Sequence, residues 1–132
     1  LMQEVNRSFV EYFSDETFVA LLMFEFDFSK KTVTIITGGI NYFIASTSNI
    51  NGLVVIPGGL IGLFEPADLN CIIEPIQSGD VFYFMTDGLM DVIKNNIPSK
   101  VNEFERSHDF FKKKTRIACK KDDCSILSIK IQ

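Results

Sequence analysis

Val81-Phe82-Tyr83-Phe84-Met85-Thr86-Asp87-Gly88-Leu89-Met90-Asp91-Val92 packs a strand, an acidic turn and a helix start into one short stretch. Four of its first five residues are aromatic or β-branched, and the turn Gln77-Ser78-Gly79-Asp80 precedes them, which predicts a buried strand. Thr86-Asp87-Gly88 ends that strand, and Leu89, Met90, Val92 and Ile93 predict one or two turns of helix. An aspartate at the carboxyl end of a buried strand stands at a rim, where its charge faces solvent or a metal. Gly88 lets the backbone turn sharply and approach a ligand closely. A second acidic point, Asp122-Asp123, lies just before a predicted closing strand, Cys124 to Ile131. Two strand-edge aspartates brought together suit a hard divalent cation.

Working outward, the 132 residues are 46% hydrophobic and include thirteen Phe, enough apolar surface for the core of a single domain spanning residues 1–132. A net charge of −4 argues against a nucleic-acid binder, which would normally carry a basic stripe. No apolar run reaches the roughly 18 residues of a membrane span. Leu1 to Arg7 lacks the charged-then-apolar order of a signal peptide, so the expectation is a cytoplasmic chain. Cys71, Cys119 and Cys124 are odd in number and form no Cys-x-x-Cys pair, which argues against zinc and for reduced thiols. His108, the only histidine, lies in a charged stretch and reads as a surface residue. No credible Ser-His or Cys-His pair offers a protein nucleophile.

Leu1, Val5, Phe9 and Phe13 recur every four residues and predict an amphipathic helix. It opens without a cap, so the chain is expected to begin inside a larger domain. After a break at Ser14-Asp15-Glu16, a strand is expected over Thr17 to Phe28, buried on both faces early and on one face late. Ser29-Lys30-Lys31 turns the chain into Thr32 to Thr37, and Gly38-Gly39 with Asn41 leads to Tyr42 to Ala45. Leu53 to Ile56 follows, then Leu69 to Ile76 and the Val81 strand. Short turns between these strands predict an antiparallel meander. Pro57-Gly58-Gly59-Leu60-Ile61-Gly62-Leu63-Phe64 reads either as a phosphate-cradling loop or as a buried turn; with no Lys-Ser/Thr after it, the turn is the expectation. Ser99 is the expected cap of a helix over Lys100 to Lys113, with Lys112-Lys113-Lys114 favouring its carboxyl end. The class is α+β, with antiparallel sheets flanked by helices.

Taken together, Thr86-Asp87-Gly88-Leu89-Met90-Asp91-Val92 and Asp122-Asp123-Cys124-Ser125-Ile126-Leu127 resemble the metal-dependent protein phosphatases, in the stage II sporulation protein E branch related to protein phosphatase 2C. Leu1 to Phe13 with Phe18-Val19-Ala20-Leu21-Leu22 resembles the family's second long helix and following strand. Thr37-Gly38-Gly39-Ile40-Asn41 occupies the place of its Gly-His turn, with Gly39 where many relatives have His, and Gly59-Leu60-Ile61-Gly62-Leu63 resembles its Pro-Leu-Gly-Leu segment. The resemblance implies part of an αββα sandwich, with Asp87 and Asp122 as catalytic ligands of Mn²⁺ or Mg²⁺ in a two-metal site, and Gly88 and Asp123 beside them. It implies hydrolysis of phosphoserine or phosphothreonine by metal-activated water. The implied substrate is a phosphorylated bacterial regulator of the sigma-factor pathway, of the STAS anti-anti-sigma kind.

The family's early Asp-Gly is not found before Leu1, and the stretch from Val92 to Asp122 is short for the family. A non-catalytic, phosphatase-like module that binds a regulatory protein is therefore the alternative. Asp87 also reads as a plain helix cap, and Lys120-Lys121-Asp122-Asp123 as a solvated hairpin tip. Uncovered sheet edges in a partial domain would favour a homodimer.

Overall fold

In chain order the elements are α1 (Met2–Tyr12), β1 (Leu21–Asp27), β2 (Thr32–Gly38), β3 (Tyr42–Ser46), β4 (Asn51–Val55), β5 (Asn70–Pro75), β6 (Val81–Met85), α2 (Asp87–Ile93), α3 (Phe104–Ala118) and β7 (Ile126–Lys130). They are seen in a computed structural model that describes residues 1–12, 17–120 and 122–132. Phe13 and the expected break at residues 14–16 lie outside the described residues. The chain divides into two compact units, residues 1–41 with 55–75, and residues 42–54 with 76–132.

In the first unit, β1, β2 and β5 form an antiparallel sheet in the order β1-β2-β5. The Asp27 carboxylate closes the β1–β2 hairpin by accepting hydrogen bonds from the Ser29 hydroxyl (2.6 Å) and the Lys30 backbone N–H (2.9 Å). The Ser29 hydroxyl first, then Lys30, draw its pKa down to about 2. The apolar stripe of α1 packs Met2, Val5 and Phe9 with Ile61, Ala67 and Leu69. Its polar residues reach the same segment. Asn6, fully buried, donates to the Phe64 carbonyl and accepts from the Gly62 N–H, both at 2.8 Å. Gln3 donates to the Ala67 carbonyl and accepts from the Ala67 N–H.

These bonds decide between the two readings of Pro57–Phe64. The Gly59 N–H goes to the Asp68 carbonyl, that of Ile61 to Val19 and that of Gly62 to Asn6. Donors already committed inside the protein do not cradle a phosphate, and the stretch is a turn buried at Ile61 and Gly62, with Leu63 and Phe64 exposed. Gly39 has a local reason of its own. Its φ is +102°, and a Cβ there would lie 2.7 Å from Leu60 Cδ2 and 2.9 Å from Ala20 Cα. A histidine does not fit this backbone.

The second unit is built on β6, buried at all five positions, in the sheet order β4-β3-β6-β7. It pairs antiparallel with β3 (Ile44 opposite Tyr83) and with β7 (Val81 opposite Lys130, Met85 opposite Ile126). On one face Ile44, Tyr83 and Met85 pack with Leu89, Ile93, Val101 and Phe111 from the helical region. The Tyr83 ring lies 5.0 Å from Phe111 and 6.1 Å from Phe104, centroid to centroid. Its hydroxyl donates to the Val101 carbonyl at 2.8 Å, and burial raises its pKa above the ordinary tyrosine value.

Several expectations are corrected by this arrangement. The strands do not form one meander: β2 and β3 follow each other in sequence but belong to different sheets, and their later partners are β5 and β6. The strand expected over Thr17 to Phe28 is confined to Leu21–Asp27, because Val19 pairs with Ile61 instead and Phe18 is exposed. The helix expected over Lys100 to Lys113 runs Phe104–Ala118. Lys100 to Glu103 is a separate turn whose Val101 carbonyl is taken by Tyr83, so the helix starts after it. It continues beyond the lysines because Phe111 and Ala118 are both buried.

His108 is not a free surface residue. Its Nδ1 lies 2.9 Å from Ser128 Oγ and its ring stacks on Phe104, so the pair clamps α3 to β7. Nor are all thiols reduced. Cys119 and Cys124 form a disulfide with their Cα atoms 5.5 Å apart, within the usual span, while Cys71 is free and exposed. The end of α3 and the approach to β7 return to the same place, which spacing in sequence did not reveal. Among the described residues no helix is long and apolar enough to cross a membrane.

Candidate metal site

Three short segments of the second unit meet at the end of β6. The strand stops at Met85, and Thr86 ties its end to the last connection of the chain: its N–H donates to the Ser125 carbonyl (3.2 Å), and its Oγ1 accepts from the Ser125 N–H (2.9 Å). The Thr86 carbonyl then accepts from Leu89 and Met90, starting α2 with Asp87 as its first residue. Leu89, Met90 and Ile93 are buried, so the apolar face of this short helix holds Asp87 at the exposed rim. Thr86 is the residue at the N-cap position, and its side chain makes no capping bond. Asp87 is therefore not the cap.

Asp122 arrives from the other side. Its N–H donates to the Ala118 carbonyl (3.3 Å) at the end of α3, and its Oδ1 accepts from the Asp123 N–H (2.8 Å). Both aspartates are exposed. Gly88 is the point of closest approach: a Cβ placed there would lie 2.8 Å from the Asp123 carbonyl oxygen and 3.3 Å from Asp122 Cβ. The segment after Ala118 thus rests directly on the Asp87-Gly88 turn. The disulfide brackets Asp122 and Asp123 between Cys119 and Cys124.

This contact makes a test. In Gly88→Ala the new methyl meets backbone rather than the end of a flexible side chain, so one segment must shift. The expected cost is about 1–3 kcal/mol, as for other overpacked positions. Urea unfolding measures it, and a change below about 0.5 kcal/mol would show that the two segments separate freely.

The sequence reading missed Tyr42. Its hydroxyl donates to Asp87 Oδ1. Burial first, then that bond and the Asp87 charge, raise the phenol's pKa far above the ordinary value, so Tyr42 remains a neutral donor. The signal was available only through register. Ile44 stands opposite Tyr83, and continuing that antiparallel ladder brings Tyr42 level with Met85, two residues before Asp87. Asp91, on the same helix as Asp87, pairs instead with Lys94 at 3.4 Å.

Carboxylate oxygens on both sides of a close backbone contact are the donor type of a hard cation such as Mn²⁺ or Mg²⁺, and the lack of a side chain at Gly88 is what lets the Asp122-Asp123 segment come so near. Asp87 and Asp122 each have Oδ1 held by one donor. Among the described residues no group of three or more His, Cys, Asp or Glu side chains gathers at one point.

Antiparallel sheets with helices in this order are the fold of the PP2C phosphatase domain. The chain is similar to the phosphatase domain of the cell fate determinant SpoIIE from Bacillus subtilis, with a TM-score of 0.69 and 16% identity over 99% of this chain and 64% of that one. It is similar to the SiaA-PP2C domain of Pseudomonas aeruginosa (TM-score 0.68, 17% identity, 99% of this chain and 59% of that one). It is also similar to RsbX in complex with magnesium (TM-score 0.66, 17% identity, 96% and 59%). Residues 1–132 match the family described as Stage II sporulation protein E (SpoIIE), and the chain belongs to that family. Comparison with curated proteins returned no match. The chain spans less than two thirds of the length of these solved relatives.

Proposed function

We propose that this chain contributes the Asp87 and Asp122 carboxylates to a divalent metal site of a protein serine/threonine phosphatase. The observation that carries this reading is the seating of Asp122-Asp123 against Gly88, which brings two acidic segments to one rim. Mn²⁺ or Mg²⁺, when bound, supplies Lewis-acid activation of water and neutralises charge on a phosphoryl group. The chain's own residues do the rest. Thr86 and Ser125 lock the two segments together, α2 and α3 hold them on a packed core, and Tyr42 engages one oxygen of Asp87. The complex of RsbX with magnesium supports this choice of metal by family likeness.

The substrate in this reading is phosphoserine or phosphothreonine on a bacterial regulatory protein, of the STAS anti-anti-sigma kind. The expected result is hydrolysis of a phosphoserine peptide that requires Mn²⁺ and stops with a chelator, measured as phosphate release. Metal binding without hydrolysis would favour the second reading, a phosphatase-like module that binds the phosphorylated regulator. What favours that second reading is that, among the described residues, no three His, Cys, Asp or Glu side chains are grouped so as to hold a metal ion.

A further inference from the structure

We infer that Tyr42 is a positioning residue that orients Asp87 for a divalent cation; this rests on the metal-site reading above. Tyr42 is the first residue of β3, and the β3–β6 ladder sets it level with the strand end that leads into Asp87. Its ring packs against the core that includes Ile44, Tyr83 and Met85, which fixes where the hydroxyl can reach. That hydroxyl donates to Asp87 Oδ1. An exposed aspartate on a short helix samples several rotamers, and a cation must select one of them. A donor anchored in the core selects it beforehand, holding one oxygen and leaving the other for the cation. Oδ2 of Asp87 accepts no hydrogen bond from the described residues. Hydrogen bonds to ligating carboxylates commonly contribute 10–100-fold in metal affinity.

The discriminating variant is Tyr42→Phe, which keeps the ring and removes the donor. Calorimetric titration with Mn²⁺ is expected to show affinity about ten-fold weaker than in the unaltered protein. Melting of the metal-free protein should be unchanged, because the acceptor left without its donor, Asp87, is exposed and can turn to water. A spectroscopic signal separates positioning from packing. Mg²⁺ binding should perturb the near-ultraviolet tyrosine absorption, and the difference signal should vanish in Tyr42→Phe but persist in Tyr12→Phe, whose ring is exposed. Equal or tighter Mn²⁺ binding in Tyr42→Phe, with Asp87→Asn losing it, overturns this inference and leaves the metal site standing. Failure of the unaltered protein to bind Mn²⁺ overturns both.

Discussion

Replacing Asp87 by asparagine is expected to weaken Mn²⁺ binding by more than about 100-fold and to remove metal-dependent phosphate release. Even outer partners of a ligating carboxylate commonly contribute 10–100-fold, so loss of a direct ligand, the role proposed for Asp87, would exceed that range. The substitution preserves shape and removes one negative charge, and a neutral amide oxygen is a far poorer donor to a hard cation. Folding should survive. Asp87 is exposed, and the Tyr42 hydroxyl can donate equally to the amide oxygen. The structural loss is then limited to a carboxylate in the first turn of α2, worth roughly 0.3–1 kcal/mol. Calorimetry and thermal melting of the same samples separate the two effects. Mn²⁺ binding and turnover equal to those of the unaltered protein would remove Asp87 from the site.

The second large effect is expected at Phe111, in the apolar core of the second unit. Its side chain is fully buried against Tyr83, with Leu89, Ile93 and Val101 in the same cluster. Phe111→Ala should cost about 3–5 kcal/mol, since it removes both transfer energy and the packing of the space left behind. Against a typical total of roughly 5–15 kcal/mol, that is a large share of stability. Urea unfolding reads it directly. The consequence reaches the rim, because α3 leads to Asp122 and Tyr83 lies in the strand that leads to Asp87. Apparent metal affinity should fall with the folded fraction rather than through any change in the ligands. A cost below about 1 kcal/mol would mean that this face of β6 is not the organising core.

The glycine at position 39 has a structural account. A left-handed backbone pressed against Ala20 and Leu60 excludes a side chain, so the absence of histidine there follows from local packing.

Periodicity, turn residues and ordered motifs are local properties of the chain, and they suffice to place every regular element to within a few residues, apart from the ends of β1 and α3. They suffice also for the α+β class and the family, and they point to Asp87, Gly88, Asp122 and Asp123 as the residues of interest. Long-range packing settles what such local signals do not encode. It divides the strands between two sheets, through pairings such as Ile35 with Ile72 and Ile44 with Tyr83. It delays α3 to Phe104 by giving the Val101 carbonyl to Tyr83, and it joins Cys119 to Cys124. It sets Tyr42 on Asp87 across 45 residues, and Asp122-Asp123 on Gly88. One cause is common to all of these. Hydrogen-bond ladders and side-chain packing satisfy groups that are distant in sequence, and which of several equally suitable partners is chosen depends on the whole arrangement.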